Sequence, residues 1–328
     1  MSSSQSQQEL KRVDGLWFPD ASLILRAENS LFRVHGSILA ARSSVFQDMI
    51  SFPQPPRSEG GQSDIDTVDG HGVVVLHDAA AEVEAFLRAI FDSSFFEPPP
   101  AAVDYFMVVG ILRLAHKYDV PYLFRRALCH LNSRYPTDFP SFLKRREQED
   151  AGLCCLDDDC NCFDLTLHMS AVKAATEVGA LWLLPAAYYS VVSRSDFMET
   201  ALEHLQAHEI RKVLIAQIHF VRATVDVHAF LERLPTPSCR TRRKCRACAS
   251  EAHEVLHSRR VDQDDSDPVS NWVLFGCESE LCESCEVFAI ERFDNAQSEF
   301  WARLPFSLGL PGWTELKEMR TASMENTL

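Results

Sequence analysis

The run from Phe18 to Ile50, FPDASLILRAENSLFRVHGSILAARSSVFQDMI, most constrains what this chain can fold into. Leu23 and Leu25 alternate with smaller or charged neighbours, and Phe32 and Val34 alternate beyond Glu28-Asn29-Ser30, which predicts two strands joined as a hairpin. Ile38, Leu39, Val45, Phe46 and Met49 then fall at helical spacing with Ser37 as N-cap, so strand period gives way to helix period near His35. A hairpin that runs directly into an amphipathic helix predicts an α+β fold.

The same pattern continues downstream, with a strand at Val73-Val74-Val75-Leu76, a helix from Val83 to Phe91, and LRLAHKYDVPYLFRRALCHL from Leu112 to Leu131. With Asp20, Phe32-x-Val34-His35, Leu39, Ser43 or Ser44, and Phe46, this order resembles a BTB/POZ domain. The resemblance implies a small sheet capped by helical hairpins and a protein-interaction role. Many members carry Lys or Arg after the strand's His; this chain has Gly36.

A net charge of −15 and 46% hydrophobic residues fit a globular chain of about two domains, and the acidic field disfavours coating of nucleic acid. No apolar run approaches membrane length, and MSSSQSQQEL lacks both a charged and an apolar leader region, so the expected location is cytoplasmic or nuclear. In that setting the 11 cysteines point to metal or free thiols rather than disulfides.

Composition divides the chain. Residues 1–12 are Ser/Gln-rich and expected to be disordered; the BTB/POZ domain is placed at 13–140, with an acidic Pro/Gly/Ser-rich loop at 52–72. Glu97-Pro98-Pro99-Pro100 must bridge Phe91 to a helix beginning near Val103. Residues 141–164 read as an acidic linker, whose Cys154-Cys155 and Cys160-x-Cys162 are poorly spaced for chelation. An α-helical domain follows at 165–328. Leu181, Leu184, Ala187, Tyr188 and Val191, then Val213, Ile215, Ile218, Val221 and Val225, mark three helices between Leu165 and Leu234.

The chemistry-bearing residues cluster late. Cys245-Arg-Ala-Cys248 and Cys282-Glu-Ser-Cys285 are two C-x-x-C pairs, each able to span one edge of a tetrahedral ion, and one structural zinc held by Cys245, Cys248, Cys282 and Cys285 is the natural reading. Cys239 and Cys277 flank the pairs as substitutes for either ligand. His253-Glu254-Val-Leu-His257 matches the H-E-x-x-H zinc-peptidase helix, but Ser258-Arg259-Arg260 supplies no third ligand. A surface helix is the simpler reading. Arg240, Arg242, Arg243, Lys244 and Arg246 form the only dense basic cluster, read as a solvated loop or an import or anion-binding patch.

The tail from Glu299 to Leu316, with Phe300, Trp301, Leu304, Leu308, Leu310 and Trp313, is too apolar to stay free, and Pro305 and Pro311 are expected to interrupt any helix there. Its FW-x-x-LP-x-x-x-GLP-x-W-x-EL pattern resembles the ending of BTB-domain proteins of mushroom-forming fungi, which also carry C-x-x-C pairs just upstream. The resemblance implies a non-enzymatic interaction module or scaffold, with protein partners such as a second copy or a cullin. A substrate adaptor of a cullin-based ubiquitin ligase is the leading specific role. A nuclear transcription-associated regulator and, less favoured, a zinc peptidase compete with it. Neither a small-molecule substrate, nor nucleic acid, nor a membrane is expected.

Overall fold

The structure is a computed structural model and describes residues 9–51, 67–150, 164–194, 196–262, 267–269 and 281–325. The chain divides into two compact units, Met1–Ser133 with Ser323–Leu328, and Arg134–Ala322.

In the first unit, β1 (Lys11–Trp17), β2 (Leu23–Ala27), β3 (Ser30–Val34), β4 (Thr67–Val68) and β5 (His71–Leu76) form a sheet ordered β1-β3-β2-β5-β4. The expected hairpin is β2-β3, with Ala27 paired to Ser30 across Glu28-Asn29. Glu28 sits at φ 49°, a conformation disfavoured for a residue with a Cβ, and its carboxylate accepts the Ala80 N–H at 3.2 Å. That contact supplies an acceptor to the start of α3 (Ala80–Phe91), whose own N-cap Ala79 has none. Ile24 and Leu25 are both buried, as are Leu31 and Phe32, so these inner strands are covered on both faces rather than one.

β1 departs from the expected disorder of residues 1–12, because Lys11–Trp17 pairs in parallel with β3. Its buried residues, Val13 and Leu16, stand three apart with Gly15 at φ 79° between them, and the register shifts between Arg12 and Trp17. Such an irregular strand leaves no period-two signal. Of the loop expected at 52–72, residues 67–72 belong to β4, its turn and the start of β5; 52–66 lie outside the described residues.

The helix expected after His35 is two helices, α1 (Gly36–Arg42) and α2 (Ser44–Ser51), and the N-cap position is His35 rather than Ser37. Ser43 makes the break. Its backbone is extended, and its Oγ accepts the Phe46 N–H at 3.0 Å while donating to the Tyr118 carbonyl. Phe46 is fully buried and stacks on Tyr118 at 4.8 Å, whereas Met49 is half-buried and Ile38 exposed. At Gly36 a Cβ would lie 3.2 Å from Ile50 Cδ1 and 3.6 Å from Leu23 Cδ2, so aliphatic side chains occupy the space beside this position. The unit closes with α4 (Tyr105–Lys117), capped by Asp104 on the Phe106 N–H at 2.9 Å, and α5 (Pro121–Arg134).

The second unit is helical: α6 (Phe139–Asp150), α7 (Leu165–Glu177), α8 (Leu184–Val192), α9 (Phe197–His204), α10 (Ala207–His228), α11 (Arg242–Asp262), α12 (Glu283–Ser307) and α13 (Trp313–Glu325). Residues 141–150, expected in a linker, lie in α6, which is ordered by the burial of Phe142 against Trp301 at 4.5 Å. The remainder of that linker, with Cys154, Cys155, Cys160 and Cys162, lies outside the described residues. Leu165–Leu234 holds four α-helices rather than three. Ala207–Arg233 is long and apolar enough, by length and composition, to cross a membrane, which the sequence reading overlooked. Val213, Ala216, Phe220, Thr224 and Val227 bury one of its faces, as in a core helix, while Leu214, Ile215, Ile218, Val221 and Val225 are exposed.

α12 runs through Pro305, contrary to the expected interruption. Proline cannot donate to the carbonyl four residues back, which here is Trp301. The indole N–H of Trp313 fills that vacancy at 2.7 Å from the Trp301 oxygen, and the two rings stack with centroids 5.0 Å apart. Behind the proline, Leu310 N–H bonds the Pro305 carbonyl at 2.9 Å and Gly309 N–H bonds Phe306 at 3.1 Å, with Gly309 at φ 69°. This left-handed stop ends the helix and turns the chain into α13.

Candidate metal centre

Two chain segments bring thiols together in the second unit. Cys239 follows a turn closed by its N–H on the Thr236 carbonyl at 3.1 Å, and Cys245 sits in the first turn of α11, its N–H on Thr241 at 3.0 Å. Cys282 is the N-cap of α12 and Cys285 lies three residues on, its N–H returning to the Cys282 carbonyl at 2.8 Å. Both helices therefore present N-termini, where unpaired N–H groups favour negative charge.

The four sulfurs of Cys239, Cys245, Cys282 and Cys285 all lie within 4.8 Å of one another. A tetrahedral ion about 2.3 Å from each sulfur spaces them about 3.8 Å apart, so the cluster is already near ligand geometry. Cys282 Sγ is 3.6 Å from Cys239 Sγ, and the Cys282 N–H points at Cys245 Sγ at 3.3 Å. Backbone N–H groups of Arg240 and Cys285 hold the Cys282 thiol down, to about 6. Burial pushes Cys239 up, to about 12. Val227, Phe230, Leu231, Leu234, Ala289 and Phe293 share one buried apolar cluster with Cys245 and Cys285, and the half-buried Cys239 and Cys282 pack against it. Four thiols so placed could hold a metal ion.

Three of the four ligands read from the sequence, Cys245, Cys282 and Cys285, are in this group; Cys248 is not, and Cys239 stands in its place. Residues 245 and 248 both lie on α11, and Cys248 is buried in the apolar cluster with Ala249 and Ala252. Cys282, by contrast, caps α12 with an extended backbone, φ −76° and ψ 154°, one turn before Cys285. Cys277, the other flanking thiol, lies outside the described residues.

The remaining sequence candidates do not join the centre. His253, Glu254 and His257 are exposed on α11, and no group of three potential metal ligands includes them among the described residues. Arg240, Arg242, Arg243, Lys244 and Arg246 are exposed beside the thiols. A buried network also stands in the second unit: Arg146 forks onto both Asp267 oxygens at 3.0 and 2.7 Å, and Tyr189 OH bonds the same carboxylate. Val269 N–H adds a bond to Asp267 at 3.0 Å, so this carboxylate is saturated by donors and serves to anchor residues 267–269.

In the first unit, the turn Phe95-Phe96-Glu97 after α3 is held from behind. Arg126 donates to the Phe96 carbonyl, His130 Nε2 lies 2.8 Å from the Glu97 carbonyl, and Phe96 is fully buried against the His130 ring at 5.2 Å. The Glu97 side chain is exposed and Phe95 half-buried.

The BTB/POZ domain family model matches residues 17–134. No curated protein and no solved structure matches the chain. Residues 17–134, from the end of β1 to the end of α5, are a BTB/POZ domain, and the first unit is accordingly a protein–protein interaction module. The helical second unit, with its four thiols, lies beyond the matched residues.

Proposed function

We propose that the protein is a BTB-type interaction scaffold that acts as a substrate adaptor for a cullin-based ubiquitin ligase, with the first unit meeting the cullin and the second unit, built round a structural zinc, meeting the client. The observation that carries the scaffold reading is the BTB/POZ match over 17–134. Support for the adaptor role comes from Phe95-Phe96-Glu97, the nearest counterpart here of the apolar-x-Glu motif that adaptor BTB domains present before their penultimate helix; Pro98-Pro99-Pro100 displaces it from α4, and Glu97 is exposed on a backbone held by Arg126 and His130. A cytoplasmic or nuclear location, where thiols stay reduced, suits both the zinc and the partner. The reading involves no catalysis by this chain. A nuclear transcription-associated role is the competing one, favoured by the exposed basic cluster Arg240–Arg246.

The test is affinity capture of the tagged full-length chain with mass spectrometry, run beside Phe95→Ala/Glu97→Lys. Recovery of a cullin with the parent chain and its loss with the variant is the expected result. Recovery of chromatin proteins in place of a cullin supports the nuclear reading. A cullin captured equally by both chains refutes the role given to the turn.

A further inference from the structure

We infer that the second unit holds one zinc ion on Cys239, Cys245, Cys282 and Cys285, that Cys248 is a core thiol outside the coordination sphere, and that the basic run Arg240–Arg246 is the counter-charge of this centre. The ligand set rests on the zinc reading of the preceding section and makes it specific.

Geometry selects the four. Their sulfurs lie within 4.8 Å of one another, from two segments remote in sequence, and the closest pair is 3.6 Å apart, far beyond a disulfide and close to a tetrahedral edge. Cys282 as helix cap and Cys285 in the first turn let one short segment supply two ligands, and Cys239 ahead of α11 gives Cys245 the same arrangement with a longer span. Four thiolates fill a tetrahedral site and leave no open position, so the ion is structural rather than catalytic.

Charge supports the same set. On binding, each thiol that is still protonated releases its proton to solvent, and four thiolates on Zn²⁺ leave a net charge of −2 against an apolar cluster. That charge needs compensation. Cys282 Sγ faces the N–H groups of Arg240 and Cys285, Cys239 Sγ that of Thr241, and Cys245 Sγ that of Cys282. Two helix N-termini converge on the cluster, and Arg240, Arg242, Arg243, Lys244 and Arg246 are exposed in the segment that carries Cys239 and Cys245. Glu283 and Glu286 in the first turn of α12 work against this, and the five cations outnumber them. The basic run thereby gains a function that neither nucleic-acid binding nor import is needed to explain.

The experiment measures metal in the reduced full-length chain after dialysis against excess zinc and then buffer, and repeats it with cobalt(II), whose thiolate charge-transfer and d–d bands report the number of sulfurs and their geometry. The parent chain should carry about one zinc and give a tetrahedral four-sulfur cobalt spectrum. Cys248→Ala should keep both. Cys239→Ser should weaken retention at least tenfold and shift the cobalt bands to a three-sulfur pattern. If Cys239→Ser fails to fold, Cys248→Ala and the parent cobalt spectrum decide. Loss of metal from folded Cys248→Ala overturns the ligand set while leaving zinc in place; a parent chain that retains neither metal overturns zinc itself. Replacing Arg242, Arg243 and Lys244 by Gln should raise the zinc off-rate several-fold in low salt, and an unchanged rate removes the counter-charge role.

Discussion

Replacement of Trp313 by Phe tests the arrangement that lets α12 pass through a proline. The indole N–H lies 2.7 Å from the Trp301 carbonyl, the oxygen that residue 305 would bond were it not proline, and Trp301 is 4% exposed. Phe keeps most of the stacked ring and removes the donor. A buried carbonyl left without a partner costs about 1–3 kcal/mol, and reduced stacking adds about 0.5 kcal/mol, so a loss of about 2 kcal/mol is expected. With a urea dependence of about 2 kcal/mol/M, that is a midpoint about 1 M lower, readable by far-UV circular dichroism. The decisive comparison uses Pro305→Ala, whose new N–H can reach the same carbonyl along the helix. In that background Trp313→Phe should cost about 1 kcal/mol less, a coupling well above the scatter between independent sites. Equal losses in both backgrounds would refute the pairing of proline and indole.

Other expectations follow from single contacts. Ser43→Ala removes the acceptor for the Phe46 N–H and the donor to the Tyr118 carbonyl, and should cost about 1–2 kcal/mol in chemical denaturation of the first unit. Phe46→Asp should prevent that unit from folding, whereas Met49→Asp, at a half-buried position, should give a folded protein; proteolysis and circular dichroism separate the two. Burial lowers the His130 pKa from its usual 6.5, so its folded value lies below its unfolded one. Protonation then favours the unfolded chain, and stability of the first unit should fall as pH drops below about 6.5 toward the lowered value, a slope that His130→Gln abolishes. Glu254→Gln should change neither zinc content nor fold, and peptidase activity of the parent chain that this substitution removed would overturn the non-catalytic reading.

The first unit was legible in two ways: the β2-β3 hairpin lies where alternation put it, and β5, α3 and the closing pair α4-α5 lie where the BTB/POZ resemblance put them. What escaped was structure made by exceptions to period. β1 is bent at Gly15, so Val13 and Leu16 share a burial pattern that no strand template matches. The break between α1 and α2 depends on a Ser43 contact with Tyr118, far along the chain. α6 is rich in charge and reads as linker, yet Phe139 and Phe142 pack on Trp301. At the thiol cluster the spacing of Cys245 and Cys248 suggested a pair, but spacing alone does not say which thiols face one another across the fold. Once α11 begins at Arg242, Cys248 is carried up the helix, and the thiol before the helix, Cys239, takes the place.

α12 belongs to two cores at once. Cys285, Ala289 and Phe293 serve the thiol end, and Phe300, Trp301 and Leu304 the aromatic end. The two ends are fixed in angular phase by the helix between them, which turns about 100° per residue. Glu291, Asp294 and Asn295 are exposed, and each should accept almost any helix-forming substitution. A single inserted residue among them would rotate one end by about 100° relative to the other and present the wrong face to one of the cores. The middle of α12 is therefore permissive to replacement and intolerant of changes in length.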